Sequence, residues 1–208
     1  MIYLNKYNQN LPLQRGTAMF VLKVTRISEN ASLGALSIPL SVTDYINSAR
    51  GTARTERAAG MILLRDTLKE VGIDSFNIDV LPSGKPVLRG SKLHFSISHA
   101  GGLCALALSD TPVGIDLQDT EAAAKIANLT SFARRFFAPD EYEIFMEEPT
   151  PQQLCRIWTR KEALAKLLDR PLNASLSSLS SLDYPGVVFE VRRASLEKEF
   201  FLTLAKKQ

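Results

Sequence analysis

The chain has 208 residues, of which 45% are apolar and 23% are charged, and its formal net charge is +3 at pH 7. This length and composition fit one globular domain or two closely packed halves, with little room for a separate tail domain. The net charge is too small to predict nucleic-acid binding, although it is compatible with a polyanionic cofactor and an acidic protein partner.

The start of the chain and its two cysteines indicate the compartment. Residues 1–10 lack the apolar run of a signal peptide, and no stretch is long enough to span a bilayer. Cys104 and Cys155 lie far apart in apolar surroundings, which predicts buried thiols rather than a disulfide or a zinc site. We therefore expect a cytoplasmic protein with neither a membrane nor a nucleic acid as partner.

The first half of the sequence predicts strands around one long helix. Strands are predicted from β-branched residues or from alternation at residues 18–27, 33–38, 93–98 and 103–108. Apolar residues recur at helical spacing over residues 54–71, and Gly72 follows as a stop signal. The strand at 93–98 alternates apolar and polar side chains, which predicts that one of its faces is exposed.

The strand beginning at Val113 separates polar from apolar side chains. Val113, Ile115 and Leu117 share one face. Asp116 and Gln118 share the other face. The two polar side chains therefore point in the same direction.

Two helices and a hairpin are predicted in the remainder of the chain. A helix starting with Pro139 covers residues 139–146, and strands at 187–191 and 200–204 form a closing hairpin. These segments carry no recognisable chemistry of their own.

The helix between them carries the second group of polar residues. Thr150 is its predicted N-cap, Gln153 is the return partner of a capping box, and the helix runs to about residue 168. On a helical wheel, Glu162 and Lys166 lie opposite the buried side, where they are free to act together in a cleft.

Asp116 and Glu162 are the oxygen ligands that Mg²⁺ prefers, because this ion usually binds one or two carboxylates together with waters and substrate phosphates. Lys161 and Lys166 lie beside the second acid, which suggests phosphoryl-type chemistry. A simpler interpretation stays open. Asp116 would then be a turn or cap residue, and Glu162 with Lys166 would be a surface ion pair worth about 0.3–0.5 kcal/mol.

Two further polar residues lie in the first half. His99 ends a strand before two glycines, where the backbone can approach an anion, or it is a hydrogen-bonded histidine that closes a hairpin. Lys85, between Gly84 and Pro86, is by itself an exposed turn lysine. The sequence has no zinc spacing, glycine-rich phosphate loop, dinucleotide fingerprint or nucleophile elbow, so those enzyme classes lose support.

Taken together, five ordered segments resemble the Sfp-type 4'-phosphopantetheinyl transferases. They are GKP at residues 84–86, FSISH at 95–99, GIDLQ at 114–118, FFAPDE at 136–141 and WTRKEALAK at 158–166. Each motif alone is weak, but their occurrence in this order is specific, because independent chance matches would have to multiply.

The resemblance implies a mixed α/β fold of two similar α/β halves, residues 1–110 and 111–208, related by a pseudo-twofold axis with coenzyme A between them. It implies an enzyme that uses Mg²⁺ to transfer the 4'-phosphopantetheine arm of coenzyme A to a serine of an acyl, peptidyl or aryl carrier protein, releasing adenosine 3',5'-bisphosphate. Two halves in one chain also favour a monomer.

Site roles follow from the same resemblance. Asp116 and Glu162 look like the Mg²⁺ ligands of the family, and Lys161 and Lys166 look like the lysines that hold coenzyme A phosphates. Glu162 and Lys166 are the expected catalytic residues. The proton of the carrier serine would pass to Glu162 or to a metal-bound water, and the sequence does not choose between them.

The other site residues are carried over in the same way. His99 resembles the histidine that meets the 3'-phosphate of coenzyme A, and Lys85 resembles a lysine that contacts the cofactor. Many family members have Glu where this chain has Gln118, so Gln118 occupies a third metal-ligand position whose participation stays open.

Two other functions fit parts of this pattern. Because Gln118 removes a negative charge, the chain could be a non-catalytic module that binds coenzyme A or a carrier protein. The carboxylates alone would also fit a metal-dependent phosphohydrolase that uses water in place of the serine. The sequence identifies neither the carrier protein nor its pathway.

Overall fold

The computed structural model describes residues 9–10, 19–27 and 39–208. The chain divides into two compact units, a first unit comprising Met1–Thr111 and a second unit comprising Pro112–Gln208. Each unit contains an antiparallel sheet with helices packed on it, which confirms the mixed α/β class. The two domains predicted from the sequence and their pseudo-twofold relation stay predictions.

The first unit is built around one sheet. Its elements are β1 (Gln9–Asn10), β2 (Phe20–Arg26), α1 (Leu40–Asn47), α2 (Gly51–Glu70), β3 (Ile78–Val80), β4 (Pro86–Leu88), β5 (His94–Ala100) and β6 (Leu103–Ser109). The main sheet has the order β1-β2-β6-β5 with antiparallel neighbours, and β3 pairs with β4 in a separate hairpin. Of the four predicted strands, the one at 33–38 lies outside the described residues, and the other three are confirmed.

Helix α2 covers the main sheet with its apolar side. Met61, Leu64 and Leu68 are buried in one core with residues of β2, β5 and β6. Their spacing of three and four positions places them on the same side of the helix. Gly72 follows the last turn with a φ of 83°, a backbone conformation that ends helices and favours glycine. The predicted helix and its stop signal are therefore confirmed.

Strand β5 is more deeply buried than its sequence predicts. Phe95 is 3% exposed, but Ser96 and Ser98 on the alternate face are only 3% and 5% exposed. The prediction of an exposed polar face is therefore wrong for these two residues. Serine is small enough to be buried in a sheet, so its polarity does not by itself mark the exposed side.

The second unit combines a three-stranded sheet with helices. Its elements are β7 (Val113–Asp119), α3 (Thr120–Ala124), α4 (Leu129–Phe136), α5 (Pro139–Glu147), α6 (Pro151–Leu167), a short 3₁₀ helix (Ala174–Ser178), β8 (Val187–Ser195) and β9 (Glu199–Lys207). The strands have the order β7-β9-β8, so that β8 forms one outer edge of the described sheet. Helices α5 and α6 and the closing hairpin are confirmed.

The short helices α3 and α4 were not predicted. Each begins at a side-chain cap: Asp119 accepts from the backbone N–H of Ala122 at 2.7 Å, and Asn128 accepts from that of Ser131 at 2.8 Å. Asp and Asn are strong N-cap residues, so these positions are the sequence signal that marks both helices.

The N-terminus of α6 follows the prediction only in part. The Thr150 hydroxyl accepts from the backbone N–H of Gln153 at 3.2 Å, as an N-cap does. The Gln153 side chain does not return to Thr150 but donates to the carbonyl oxygen of Ile144 at 3.4 Å. The predicted capping box is therefore wrong in its second hydrogen bond, which instead ties α6 to α5.

An aromatic cluster packs α4 and α5 against α6. The ring centroids of Phe132 and Phe136 lie 5.0 Å and 5.4 Å from that of Trp158. Phe137 lies 5.8 Å from Phe145. Aromatic residues of the FFAPDE and WTRKEALAK segments therefore belong to one core, which explains why both segments contain large rings.

The two thiols are buried and unpaired with each other, as predicted. Burial raises the pKa of both Cys104 and Cys155 to about 12, so both thiols are protonated and unreactive at neutral pH. Across the described residues, no helix has the length and apolar character needed to cross a membrane.

Helix α6 lies in direct contact with the backbone of β7. A Cβ atom added at Gly114 would lie 2.0 Å from the carbonyl oxygen of Ala163 and 2.7 Å from the backbone nitrogen of Leu167. Both distances are far inside van der Waals contact, so only glycine allows this approach. Because α6 also carries Glu162 and Lys166, Gly114 sets how near they come to Asp116.

We expect Gly114→Ala to destabilise the protein by at least about 1–3 kcal/mol, because the helix backbone must move away from the strand. Urea unfolding measures this loss. Gly60→Ala is the matched control: its new Cβ would meet side-chain atoms of Ile97 and Cys104 rather than backbone. A Gly114→Ala protein as stable as the wild type would contradict the close approach.

Candidate functional site

Asp116 lies at the centre of the predicted site and is fully buried. It occupies the middle of β7, directly opposite Thr203 of β9, on the face that α6 covers. Its Oδ1 atom accepts from Nζ of Lys166 at 2.6 Å, and its Oδ2 atom accepts from Nε2 of Gln118 at 3.2 Å. Asp116 is therefore neither a turn residue nor a helix cap, and that alternative interpretation is wrong.

Glu162 joins this cluster through the same lysine. Nζ of Lys166 lies 3.8 Å from Oε2 of Glu162, and the two side chains are only 18% and 13% exposed. The prediction that they lie together is confirmed, but they are not a surface pair. We call Asp116, Gln118, Glu162 and Lys166 the acidic cluster.

The acidic cluster contains two carboxyl groups but only one ammonium group. Burial, followed by the charge of Asp116, raises the pKa of Glu162 well above its ordinary value, although Lys166 opposes the shift. Burial lowers the pKa of Lys166, but the two carboxylates outweigh it, so this pKa is raised. Two carboxyl groups thus share one ammonium in a site with little access to water.

A divalent cation would supply the second positive partner that the two carboxyl groups lack. In the part of the chain that the structure describes, no group of three or more His, Cys, Asp and Glu residues could hold a metal by itself. Mg²⁺ does not require such a group, because it binds one or two carboxylates and takes its other ligands from water and phosphate. The buried acids of the cluster and the amide oxygen of Gln118 are donors that fit this ion.

A buried hydroxyl pair fixes α6 above Asp116. The Thr203 hydroxyl donates to the Thr159 hydroxyl at 2.8 Å, and both residues are fully buried. Thr203 is the strand partner of Asp116, while Thr159 precedes Glu162 by one helical turn. The sequence reasoning missed both threonines. The sequence signal for Thr159 was its spacing from residues 162 and 166, which places the three residues on one side of the helix.

Lys161 is not part of the acidic cluster. Its side chain is fully buried, and its ammonium donates to the Glu141 carboxylate and to the Leu179 carbonyl oxygen. Burial lowers the pKa of Lys161, and Glu141 opposes this shift. The predicted contact of Lys161 with a coenzyme phosphate is therefore at odds with its surroundings here. Glu141, at the end of the FFAPDE segment, is a buried partner that the sequence reasoning missed.

The two predicted residues of the first unit lie in different elements. The Nδ1 atom of His99, at the end of β5, lies 3.2 Å from Oε2 of Glu56 on α2, and the histidine side chain is 40% exposed. Lys85 lies in the turn between β3 and β4, where its carbonyl oxygen accepts from the Leu81 N–H at 2.9 Å. Glu56 is a further polar partner that was not predicted. The convergence of Lys85 and His99 with the acidic cluster stays a prediction.

The β7–α6 site lies within a segment that matches the model of a known protein family. Residues 112–207 match the model of the 4'-phosphopantetheinyl transferase superfamily. This match and the similarity to curated transferases confirm the resemblance predicted from the five segments.

Curated relatives carry the same enzyme name. The 4'-phosphopantetheinyl transferase psf-1 of Bacillus pumilus is 30% identical over 129 residues, which cover 59% of this chain and 53% of the relative. HetI of Nostoc sp. is 36% identical over 124 residues, covering 54% and 51%. AcpT of Salmonella typhimurium is 35% identical over 122 residues, covering 56% and 60%. The chain thus spans between 51% and 60% of the length of these relatives.

We expect Glu162→Gln to change how stability depends on pH. The Glu162 carboxyl group keeps its proton to a higher pH in the folded chain than in the unfolded chain, where its pKa is near 4.5. The free energy of unfolding of the wild type therefore falls as the pH rises from 4.5 towards the raised pKa, and the amide removes this contribution. Urea unfolding without divalent cations, from pH 4.5 to neutral pH, measures the effect.

The matched control is Glu143→Gln, because Glu143 is exposed on α5. Its unfolding free energy should follow that of the wild type at every pH. If the Glu162→Gln curve were also parallel to the wild type, the raised pKa of Glu162 would be contradicted.

Proposed function

We propose that the protein transfers the 4'-phosphopantetheine arm of coenzyme A to a serine of an acyl, peptidyl or aryl carrier protein. One observation carries this proposal: the buried Asp116, Glu162 and Lys166 meet inside the segment that matches the transferase superfamily. The relatives bear the name of this activity, and the chain matches about half of each. A monomeric state and the cytoplasm stay predictions from the sequence.

The metal would be held by the acidic cluster. We propose Asp116 and Glu162 as ligands of Mg²⁺, with the amide oxygen of Gln118 as a third donor. The raised pKa of Glu162 supports this assignment, because a cation would favour the ionised form of both carboxyl groups. When bound, Mg²⁺ would neutralise charge on the pyrophosphate of coenzyme A.

In the proposed reaction, the serine oxygen forms a bond to the β-phosphoryl phosphorus of coenzyme A. The bond from that phosphorus to the bridging pyrophosphate oxygen breaks, and adenosine 3',5'-bisphosphate leaves with the electron pair. Lys166 offers charged N–H donors to the phosphoryl oxygens, where negative charge grows. Positioning and electrostatic stabilisation therefore account for most of the catalysis.

The proton of the serine needs an acceptor in the same site. We propose Glu162, because burial and the charge of Asp116 raise its pKa above its ordinary value, which makes the carboxylate a stronger base. In the first unit, we propose that His99 and Lys85 contact phosphate groups of coenzyme A. Glu56 supports the role of His99, since its carboxylate lies 3.2 Å from Nδ1 and would help to orient the ring.

The decisive experiment is mass spectrometry of apo carrier proteins after incubation with this protein, coenzyme A and Mg²⁺. We expect the carrier to gain the mass of the phosphopantetheine arm. Asp116→Ala and Glu162→Ala should each abolish the gain while the protein stays folded by circular dichroism, and Glu143→Ala on α5 should keep it. Near-normal turnover of either cluster variant would refute its role.

A second function is favoured by one contact of Gln118. Its amide N–H group donates to Asp116, so the neutral residue uses a donor where a carboxylate would offer an acceptor. This arrangement fits a module that binds coenzyme A or a carrier protein without turnover. The two functions predict different results when a carboxylate is restored at residue 118.

We expect Gln118→Glu to lower the melting temperature without metal, because a third carboxylate joins the buried cluster, and to enlarge the rise in melting temperature that Mg²⁺ causes. Thermal unfolding with and without Mg²⁺ measures both changes. Coenzyme A binding without transfer, in both the wild type and Gln118→Glu, would favour the binding module. An unchanged response to Mg²⁺ would contradict the placement of residue 118 in a metal site.

A further inference from the structure

The ion pair of Lys161 and Glu141 is a buried charged group outside the acidic cluster. Both side chains are 0% exposed. Removing two charges from water costs several kcal/mol per ion, and the cost is met only when each ion is well paired and hydrogen-bonded. Such a pair therefore requires a precise arrangement of the elements that carry it.

Glu141 connects three parts of the second unit. Besides Lys161 on α6, its Oε2 atom accepts from the backbone N–H of Ala138 at 2.8 Å, where α5 begins. Its Oε1 atom accepts from both the backbone N–H and the hydroxyl of Ser181, each at 2.7 Å. The carboxylate thus joins α5, α6 and residues 179–182, which we call the anchor segment.

Helix α6 holds the anchor segment at further points. Lys161 donates to the Leu179 carbonyl oxygen. Arg160 donates to the carbonyl oxygens of Ser181 and Leu182 at 2.7 Å and 2.9 Å. Its guanidinium group also lies 4.4 Å from the centre of the Phe189 ring on β8. Two consecutive basic residues of α6 therefore bind the anchor segment.

The same helix presents Glu162 and Lys166 to Asp116 from a different side. Successive residues of an α-helix are turned by about 100°, so Lys161 and Glu162 point in different directions. A rotation of α6 that carried Glu162 away from Asp116 would also pull Lys161 out of its buried pair. The energetic cost of leaving a buried charge unpaired opposes that rotation.

We propose that Lys161 is a positioning residue, which acts through Glu141 and the anchor segment to hold α6 at the rotation that places Glu162 and Lys166 beside Asp116. The Lys161 ammonium is enclosed by protein groups. The positioning role therefore takes the place of the expected role in binding a coenzyme phosphate. The effect on turnover rests on the proposed function, whereas the effect on helix α6 does not.

Four proteins test this proposal: the wild type, Lys161→Met, Glu141→Gln and the double variant. Lys125→Met is the matched control, because Lys125 is exposed at the end of α3. The measurements are urea unfolding, hydrogen exchange of the α6 amides, coenzyme A binding by calorimetry with Mg²⁺, and steady-state transfer kinetics. The first two need no enzymatic activity.

We expect Lys161→Met to accelerate exchange in α6 and to lower kcat by about 10- to 100-fold through displacement of Glu162 and Lys166. The dissociation constant of coenzyme A should stay within about threefold of the wild type. The double variant should lose less stability than the two single losses added together, because it leaves no unpaired buried charge.

The opposite pattern would overturn the proposal. If Lys161→Met kept wild-type stability and α6 exchange but weakened coenzyme A binding by more than about tenfold, Lys161 would be a phosphate ligand. Additive losses of stability in the double variant would also contradict it, because they would mean that the two residues act independently.

Should Lys161→Met fail to fold, Ser181→Ala removes one hydroxyl donor and keeps both charges. We then expect faster α6 exchange, a smaller fall in kcat and unchanged coenzyme A binding; wild-type exchange and kcat would overturn the proposal. Should the wild type transfer nothing to any carrier, the proposed function fails, while exchange and the coupling of residues 141 and 161 still decide the role of Lys161.

Discussion

Helix α6 can approach strand β7 because residue 114 has no side chain. The strand and the helix meet backbone to backbone, where even one methyl group would lie 2.0 Å from a carbonyl oxygen. The hydrogen bond between Lys166 and Asp116 depends on this approach, since Asp116 is on the strand and Lys166 is on the helix. Gly114 of the GIDLQ segment is therefore required for packing, and this packing lets Asp116 on the strand meet Lys166 on the helix.

The two sides of α6 use buried charge in different ways. Lys161 and Glu141 balance each other, and four donors satisfy the carboxylate, so this pair is complete within the protein. Asp116 and Glu162 instead share one lysine, and burial together with the charge of Asp116 raises the pKa of Glu162. A buried ion pair whose charges balance stabilises the packing of the elements that carry it. Two buried carboxyl groups that share one ammonium instead favour the binding of an external cation. This contrast distinguishes the structural lysine from the proposed catalytic lysine, although they are only five residues apart.

Local rules could predict much of this fold. Period-two and helical spacing located the long helices and most described strands, and Gly72 and Thr150 marked helix ends, because those signals arise within a few residues. The meeting of Asp116 with Lys166 followed from motif resemblance, since a contact across 50 positions has no local signature. Glu141 and Thr203 were missed for the same reason: their partners come from other elements. The helical wheel correctly placed Glu162 and Lys166 together, but it did not show that Lys161 is enclosed by protein.

The position of β8 at an outer edge of its sheet has a consequence for association between copies of the chain. An edge strand of nine residues exposes backbone groups that can pair with a strand from another molecule. Here the strand carries Glu190, Arg192 and Arg193, and Glu190 is bonded to Arg192 at 2.6 Å. An incoming strand would have to accommodate these charged side chains. Charged residues on an edge strand are one means by which proteins discourage pairing between copies.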